Sequence, residues 1–360
     1  QASKLAYYHI FFSMSNEPAI RLADEVLQVA PKHMSKVFFC NSGSEANDTQ
    51  VKIAWYYNNL RGLPQKKKII SRHRGYHGVT VVAASMTGLP ANHQSFNLPL
   101  DGFLHVTAPH HYWNAEEGES ETEFSDRLAK ELEATIEREG PSTIAAFIAE
   151  PVMGAGGVVP PPEGYFPRIQ AILRKHDILF IADEVICGFG RLGTMFGSDL
   201  YNLEPDMMSI AKGLTSAYVP MSAAIISEKV WEVLRDASPD TGPFAHGYTY
   251  GGHPLAAAAG LKTLEIMKRE KLVDNAQKVG NYLQKRLRET FSDHPLVGEI
   301  RGVGLMAGVE LVADKATKVA FEPSDKIGPR VTQLLLEEGV IHRTVLNTIC
   351  YSPPLVMTEA

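Results

Sequence analysis

Asp177-Ile178-Leu179-Phe180-Ile181-Ala182-Asp183-Glu184 sets five consecutive apolar residues between acidic ends. A short apolar run that stops in charge reads as a strand buried on both faces, as in a parallel sheet covered by helices. Two further runs repeat the pattern. Thr143 to Ala149 ends in Glu150-Pro151, and Met207 to Ala211 ends in Lys212-Gly213. Helical segments such as Phe166 to Lys175 separate them. This alternation indicates an α/β fold with a mainly parallel sheet. In such sheets ligands gather just past the carboxyl ends of the strands, so Glu150, Asp183 and Lys212 direct attention to one edge and an active site there.

Toward the N-terminus, Ile20 to Val29 has helical spacing and Val37 to Cys40 is strand-like. Asn41-Ser42-Gly43-Ser44-Glu45-Ala46 then reads as a loop entering a helix that runs through Trp55 and Tyr56. Lys68 to Ser71 is a short strand, followed by the loop Gly75-Tyr76-His77-Gly78. Toward the C-terminus, an alanine-rich helix follows His253-Pro254 to about Glu270, and a second helix covers Leu272 to Phe291. Val303 to Leu311 reads as a strand, Asp325 to Glu338 as a helix and Val340 to Arg343 as a short strand. The expected division is a large domain over 1–255 and a smaller α/β domain over 256–360.

The 360 residues are 44% apolar and 21% charged, with a formal net charge of -6, an ordinary globular composition. No half is strongly basic. Lys66-Lys67-Lys68 runs into Ile69-Ile70 and reads as a solvated lead-in to a strand, so no nucleic-acid partner is expected. Cys40, Cys187 and Cys350 lack CxxC spacing, which argues against a disulfide scaffold or zinc cluster and fits a reducing compartment; no metal is expected, and the expected location is cytoplasmic. No stretch of 18 apolar residues suggests a membrane span. Gln1, already in the register of a folded domain, reads as the start of a fragment.

Lys212 by itself could be a surface lysine. At a strand end, beside Gly213, it can also lose charge by desolvation and form a Schiff base with a carbonyl. Asp183 could cap a helix, bind a metal or hold a pyridine nitrogen protonated. Glu184, its neighbour, should point elsewhere as a structural charge. Ser42-Gly43-Ser44 could be a plain helix cap or a phosphate cradle at a helix N-terminus. Tyr76, flanked by loop glycines, could stack on a flat ring or plug the core.

The segments Asn41 to Ala46, Gly75-Tyr76-His77-Gly78, Asp183-Glu184-Val185 with Gly188-Phe189-Gly190-Arg191, and Ala211-Lys212-Gly213 together resemble the signature set of class III aminotransferases, in order and across essentially the whole chain. The resemblance implies fold type I: a large domain with a mixed, mainly parallel seven-stranded sheet flanked by helices, and a small C-terminal α/β domain. It implies pyridoxal 5'-phosphate as cofactor, held by Lys212 as a Schiff base, with Lys212 then moving the proton. Asp183 would pair with the pyridine nitrogen. Tyr76 would stack on the ring and also touch substrate, with His77 and Glu150 nearby and Val185 on the opposite face. Ser42, Gly43 and Ser44 would hold the phosphate. Thr249 looks like the threonine that reaches the phosphate in a neighbouring subunit, which implies a homodimer with shared sites, or a tetramer.

Arg343 resembles the arginine of the omega-transaminase branch that binds a keto-acid carboxylate and swings aside for an uncharged amine. A glutamate like Glu150 would then be its partner when the acceptor is absent. Thr215 to Met221 departs from the glycine-rich stretch of many members and resembles the amine–pyruvate branch. The expected reaction is ping-pong transfer from a primary amine or omega-amino acid to pyruvate. An aminomutase or decarboxylase on the same cofactor, and a non-catalytic binder of a phosphorylated ligand, are the alternatives.

Overall fold

The computed structural model describes residues 1–11, 14–242 and 244–359. Seven strands build the first sheet: β1 (Met34–Cys40), β2 (Lys68–Arg72), β3 (Phe103–Val106), β4 (Ile144–Ala149), β5 (Leu179–Asp183), β6 (Met207–Ile210) and β7 (Ser222–Ser227). Their order is β1-β7-β6-β5-β4-β2-β3. Only β7 runs against the others, pairing antiparallel with both β1 and β6. Every residue of β4, β5, β6 and β7 is buried, which is why these strands read as continuous apolar runs and not as alternating ones.

Among the described residues the helices before the second sheet are α1 (Glu17–Val29), α2 (Gly43–Leu60), α3 (Val81–Met86), α4 (His111–Asn114), α5 (Glu121–Glu139), α6 (Tyr165–Lys175), α7 (Gly197–Leu200), α8 (Glu228–Thr241), α9 (Pro254–Arg269) and α10 (Leu272–Phe291). One face of the sheet packs on Phe124, Leu128 and Leu132 of α5 and on Phe166 and Ile169 of α6. α1 and α9 contribute Leu22, Val26, Ala256 and Leu264 to a second core cluster with β6 and β7. α9 therefore packs with the large sheet, although nearly all of it lies beyond residue 255. A second, antiparallel sheet of order β10-β11-β9-β8 follows, made of β8 (Val297–Val303), β9 (Met306–Leu311), β10 (Arg343–Val345) and β11 (Thr348–Tyr351), with α11 (Ile327–Glu337) between β9 and β10. This matches the expected α/β class with a smaller second sheet.

Three local expectations need correction. The strand expected over Val303 to Leu311 is the second half of a hairpin, because Gly304 adopts φ +55° and turns the chain between β8 and β9. Val340 to Arg343 is not a strand; pairing starts only at Arg343, and Ile341 is 93% exposed with no sheet to cover it. Lys66 is not solvated. It is buried, and its ammonium bonds the Asp177 carbonyl and, at 3.3 Å, the Asp177 carboxylate. Burial lowers its pKa.

Candidate active site

Because β1, β2, β4, β5 and β6 share one direction, their carboxyl ends open on one edge. β7 begins on that same edge, so the turn before it, ending in Met221, arrives there too. These segments enclose a cavity of about 340 Å³, lined by Ser42, Gly43, Ser44, Asn47, Tyr76, His77, Glu150, Asp183, Val185 and Lys212, with Thr215, Ala217, Val219, Pro220 and Met221 on the turn side. The volume lies in the range of small-molecule sites, roughly 300–1,000 Å³.

Lys212 follows β6 with φ +40°, a left-handed conformation costly for a residue with a Cβ. Solvent reaches the side chain through the open cavity, while protein crowds the amine. Its pKa is lowered, chiefly by that burial and also by Arg343, against the opposing pull of Asp183 and Glu150. The turn beyond it holds two more left-handed residues, Ser216 (φ +50°) and Ala217 (φ +63°), closed by a bond from Thr215 Oγ1 to Val219 O at 2.6 Å.

Asp183, the last residue of β5, is buried at the cavity floor. Its Oδ2 accepts from Asn47 Nδ2 and His77 Nδ1, each at 2.8 Å, and Oδ1 accepts from Val185 N at 3.1 Å. The bond to a carboxylate places the His77 proton on Nδ1, leaving a buried Nε2 without a hydrogen-bond partner. Asn47 was not singled out from sequence. It also donates to His77 O at 2.7 Å and so ties Asp183 to the Tyr76 loop. Its signal was spacing: four residues after Gly43, it falls on the same face of α2.

Strand alternation sends Glu184 away from this cavity. Its carboxylate is buried and accepts from Gly197 N at 3.0 Å and from Ser198 N and Oγ at 2.6 and 2.7 Å, capping α7. Burial pushes its pKa up to about 7.

Ser42 caps α2 by accepting from Glu45 N at 3.2 Å, and its carbonyl accepts from Ser222 Oγ at 2.6 Å. Ser44 Oγ accepts from Val79 N at 3.0 Å. Both the cap and the cavity wall are therefore present at one helix start. A Cβ added to Gly43 would sit 3.1 Å from both methyls of Val185, so the backbone of this turn lies directly on that side chain.

Glu150 is in the wall, but its carboxylate is committed to backbone: Oε1 accepts from Tyr76 N at 3.0 Å and Oε2 from Gly154 N at 2.9 Å. Burial raises its pKa. No ion pair joins it to Arg343, which starts β10, is exposed, and lies outside the cavity lining while still acting on the charge of Lys212. The expected Glu150–Arg343 pair is thus replaced by two peptide N–H donors. Thr249 is also outside this cavity and exposed; its carbonyl accepts from Tyr7 Oη at 3.0 Å. The adjoining Tyr248 Oη reaches Glu45 O at 3.2 Å, fastening that loop to the first turn of α2. Among the described residues no cluster of three or more His, Cys, Asp or Glu is set to hold a metal ion, and no helix is long and apolar enough to cross a membrane.

The sequence model of the family described as aminotransferase class-III matches residues 1–360. A diaminobutyrate–2-oxoglutarate transaminase from Halomonas elongata is 51% identical over 363 residues, taking in 100% of this chain and 77% of the relative. A mitochondrial gamma aminobutyrate transaminase from Solanum lycopersicum is 50% identical over 359 residues, 99% of this chain and 70% of the relative. Among solved structures, the omega transaminase from Pseudomonas jessenii in complex with PMP superposes with a TM-score of 0.97 at 52% identity, over 99% of this chain and 79% of that one.

Proposed function

The chain belongs to the class III aminotransferases, which use pyridoxal 5'-phosphate, and on that premise we propose that it moves an amino group from a primary amine or omega-amino acid to pyruvate, giving alanine. The observation that carries the reading is one cavity that brings together the Lys212 amine, its pKa lowered by its surroundings, a fixed buried carboxylate and a helix start.

The residues present fit the cofactor. Asp183 is held from three sides, Asn47 Oδ1 and His77 Nε2 are buried polar atoms without partners, and the bare Gly43 leaves the start of α2 open to an anion. When bound, pyridoxal phosphate supplies a sink for the electron pair left when a Cα–H bond of the donor breaks. Lys212 Nζ would anchor it. The same amine would take a proton from the substrate carbon and return it. It can do so because burial has lowered its hold on its own proton. Asp183 would face the ring nitrogen. Asn47, His77 and Val185 N stop it from turning away. Ser42, Gly43 and Ser44 would take the phosphate, with Tyr76 and Val185 walling the two ring faces.

The pyruvate assignment rests on the turn Thr215 to Met221 and on Arg343. The turn presents the small apolar Ala217 and Val219 to the cavity, which suits an uncharged donor. No arginine lines the cavity among the described residues; Arg343, whose charge acts on Lys212, is our candidate for the acceptor carboxylate, and one cation suits a monocarboxylate. We further propose a homodimer in which Thr249 completes the partner's phosphate site. A cytoplasmic location belongs to the same proposal, supported by three free cysteines.

A panel of amine donors run separately with pyruvate and with 2-oxoglutarate tests this. Alanine formed mole for mole with carbonyl product is the expected result. Glutamate from 2-oxoglutarate with no alanine from pyruvate would overturn the acceptor assignment.

A further inference from the structure

Arg301, on β8, is buried and joins three segments of chain. Its Nε donates to Val158 O at 2.8 Å, and Nη2 donates to Gly157 O at 2.6 Å, to Glu310 Oε2 at 2.7 Å and to Thr348 Oγ1 at 3.2 Å. Nη1 donates to Glu299 Oε2 at 2.7 Å. Thr348 Oγ1 closes the group by donating to the same Glu310 oxygen at 2.7 Å.

The turn whose carbonyls Arg301 holds is a costly one. Val158 has φ +52°, a left-handed value that is an outlier for a β-branched residue, and Gly157 has φ +110°. Such backbone persists where its surroundings over-determine it. The turn connects directly to the cavity. Gly157 N and Val158 N donate to Gly154 O at 3.1 Å, and Gly154 N holds the Glu150 carboxylate that also receives Tyr76 N.

On its other side Arg301 holds the hairpin of β10 and β11. Thr348 is the one buried residue of those two strands; Arg343, at the far corner, is exposed. The place of Arg343 relative to the cavity therefore depends on how Thr348 is seated.

We propose that Arg301 is a positioning residue for the acceptor half of the reaction: it locks the turn 154–158 to β11 and thereby sets Arg343 against the cavity mouth. The inference rests on the reading that Arg343 receives the acceptor carboxylate. Arg301→Lys keeps the charge that Glu299 and Glu310 need but loses the planar fork, and one ammonium cannot reach two carbonyls and two carboxylates at once. Thr348→Val releases the hairpin alone.

The holoenzyme and both variants would be compared in two ways. Amide hydrogen exchange reads the segments 154–158 and 343–351. The two half-reactions, followed by loss of the cofactor's visible band with amine and its return with pyruvate, read function. In Arg301→Lys both segments exchange faster, and the apparent affinity for pyruvate falls about tenfold while the amine half-reaction changes by less than about twofold. Thr348→Val gives the same selectivity with faster exchange in 343–351, and it decides the matter should Arg301→Lys not fold. Unaltered exchange, or both half-reactions slowed by one common factor, would overturn the clamp. Arg343→Gln, run alongside, tests the other premise. Unchanged pyruvate kinetics there refutes the acceptor role of Arg343 and with it the expected selectivity, while the Arg301 clamp on the two segments still stands or falls on their exchange.

Discussion

Lys212→Ala removes the amine from the cavity and should cut pyruvate-dependent alanine formation by about a thousandfold or more, the range expected on losing the proton-transfer group. Activity within about tenfold of the parent would mean that another base does the work. Lys212 and Asp183 were legible in the sequence because each ends an apolar run, and strand ends are where a parallel sheet gathers its ligands. Asn47 was not, since an asparagine inside a helix announces nothing until its i-4 neighbour is known to face a cavity. The Glu150–Arg343 pairing failed for a related reason: sequence displays the charges but not the N–H groups of Tyr76 and Gly154 that satisfy Glu150 first. Glu184 offers a pH test. Its pKa rises from 4.5 to about 7 on burial, so across that window the folded protein keeps a proton that the unfolded chain has released. Stability must therefore fall as pH rises through it. Glu184→Gln has no proton to release and should lose less stability than the parent between about pH 5 and about pH 8 in urea titrations. Equal losses in the two proteins would place the burden on another group.

Among the elements, α2 carries two separable duties in its first turn. Ser42→Ala removes a cap and should cost about 1 kcal/mol of stability by chemical unfolding. Gly43→Ala leaves the cap and drives a methyl to 3.1 Å from Val185, so Val185, which lines the cavity, must shift to accommodate it. Cofactor affinity, titrated on apoenzyme, should then fall about tenfold, an overpacking cost of about 1.4 kcal/mol. Unchanged affinity would show that Val185 does not wall the ring. The buried parallel strands were readable from their apolar runs, but the reversal of β7 was not, because Ser222–Ser227 is buried on both faces and reads alike in either direction. The strand expected over Val303 to Leu311 misses β8 and runs across the turn, because Gly304 within an apolar stretch does not show its left-handed backbone in sequence.

For the whole molecule, the proposed dimer makes Thr249 a test of assembly. Thr249→Ala should leave the subunit's own cavity unaltered yet weaken retention of cofactor about tenfold, read by activity after dilution and gel filtration. A variant that retains cofactor like the parent would refute sharing across the dimer. The proposed boundary at 255 meets α9, which fills the core beside α1, so we propose that the large domain extends to Arg269 and the small one begins with α10. The division of labour within the cavity has a consequence for how such an enzyme diversifies. Lys212, Asp183 and the start of α2 are fixed by strand ends and by the core beneath them. The turn Thr215 to Met221 belongs to no strand, and two of its residues already sit in left-handed backbone. Substitutions there, such as glycine at Ala217, which lines the cavity, should alter what it admits more than what it does to the guest, so a lineage built on this chain could exchange amine donors while inheriting its chemistry.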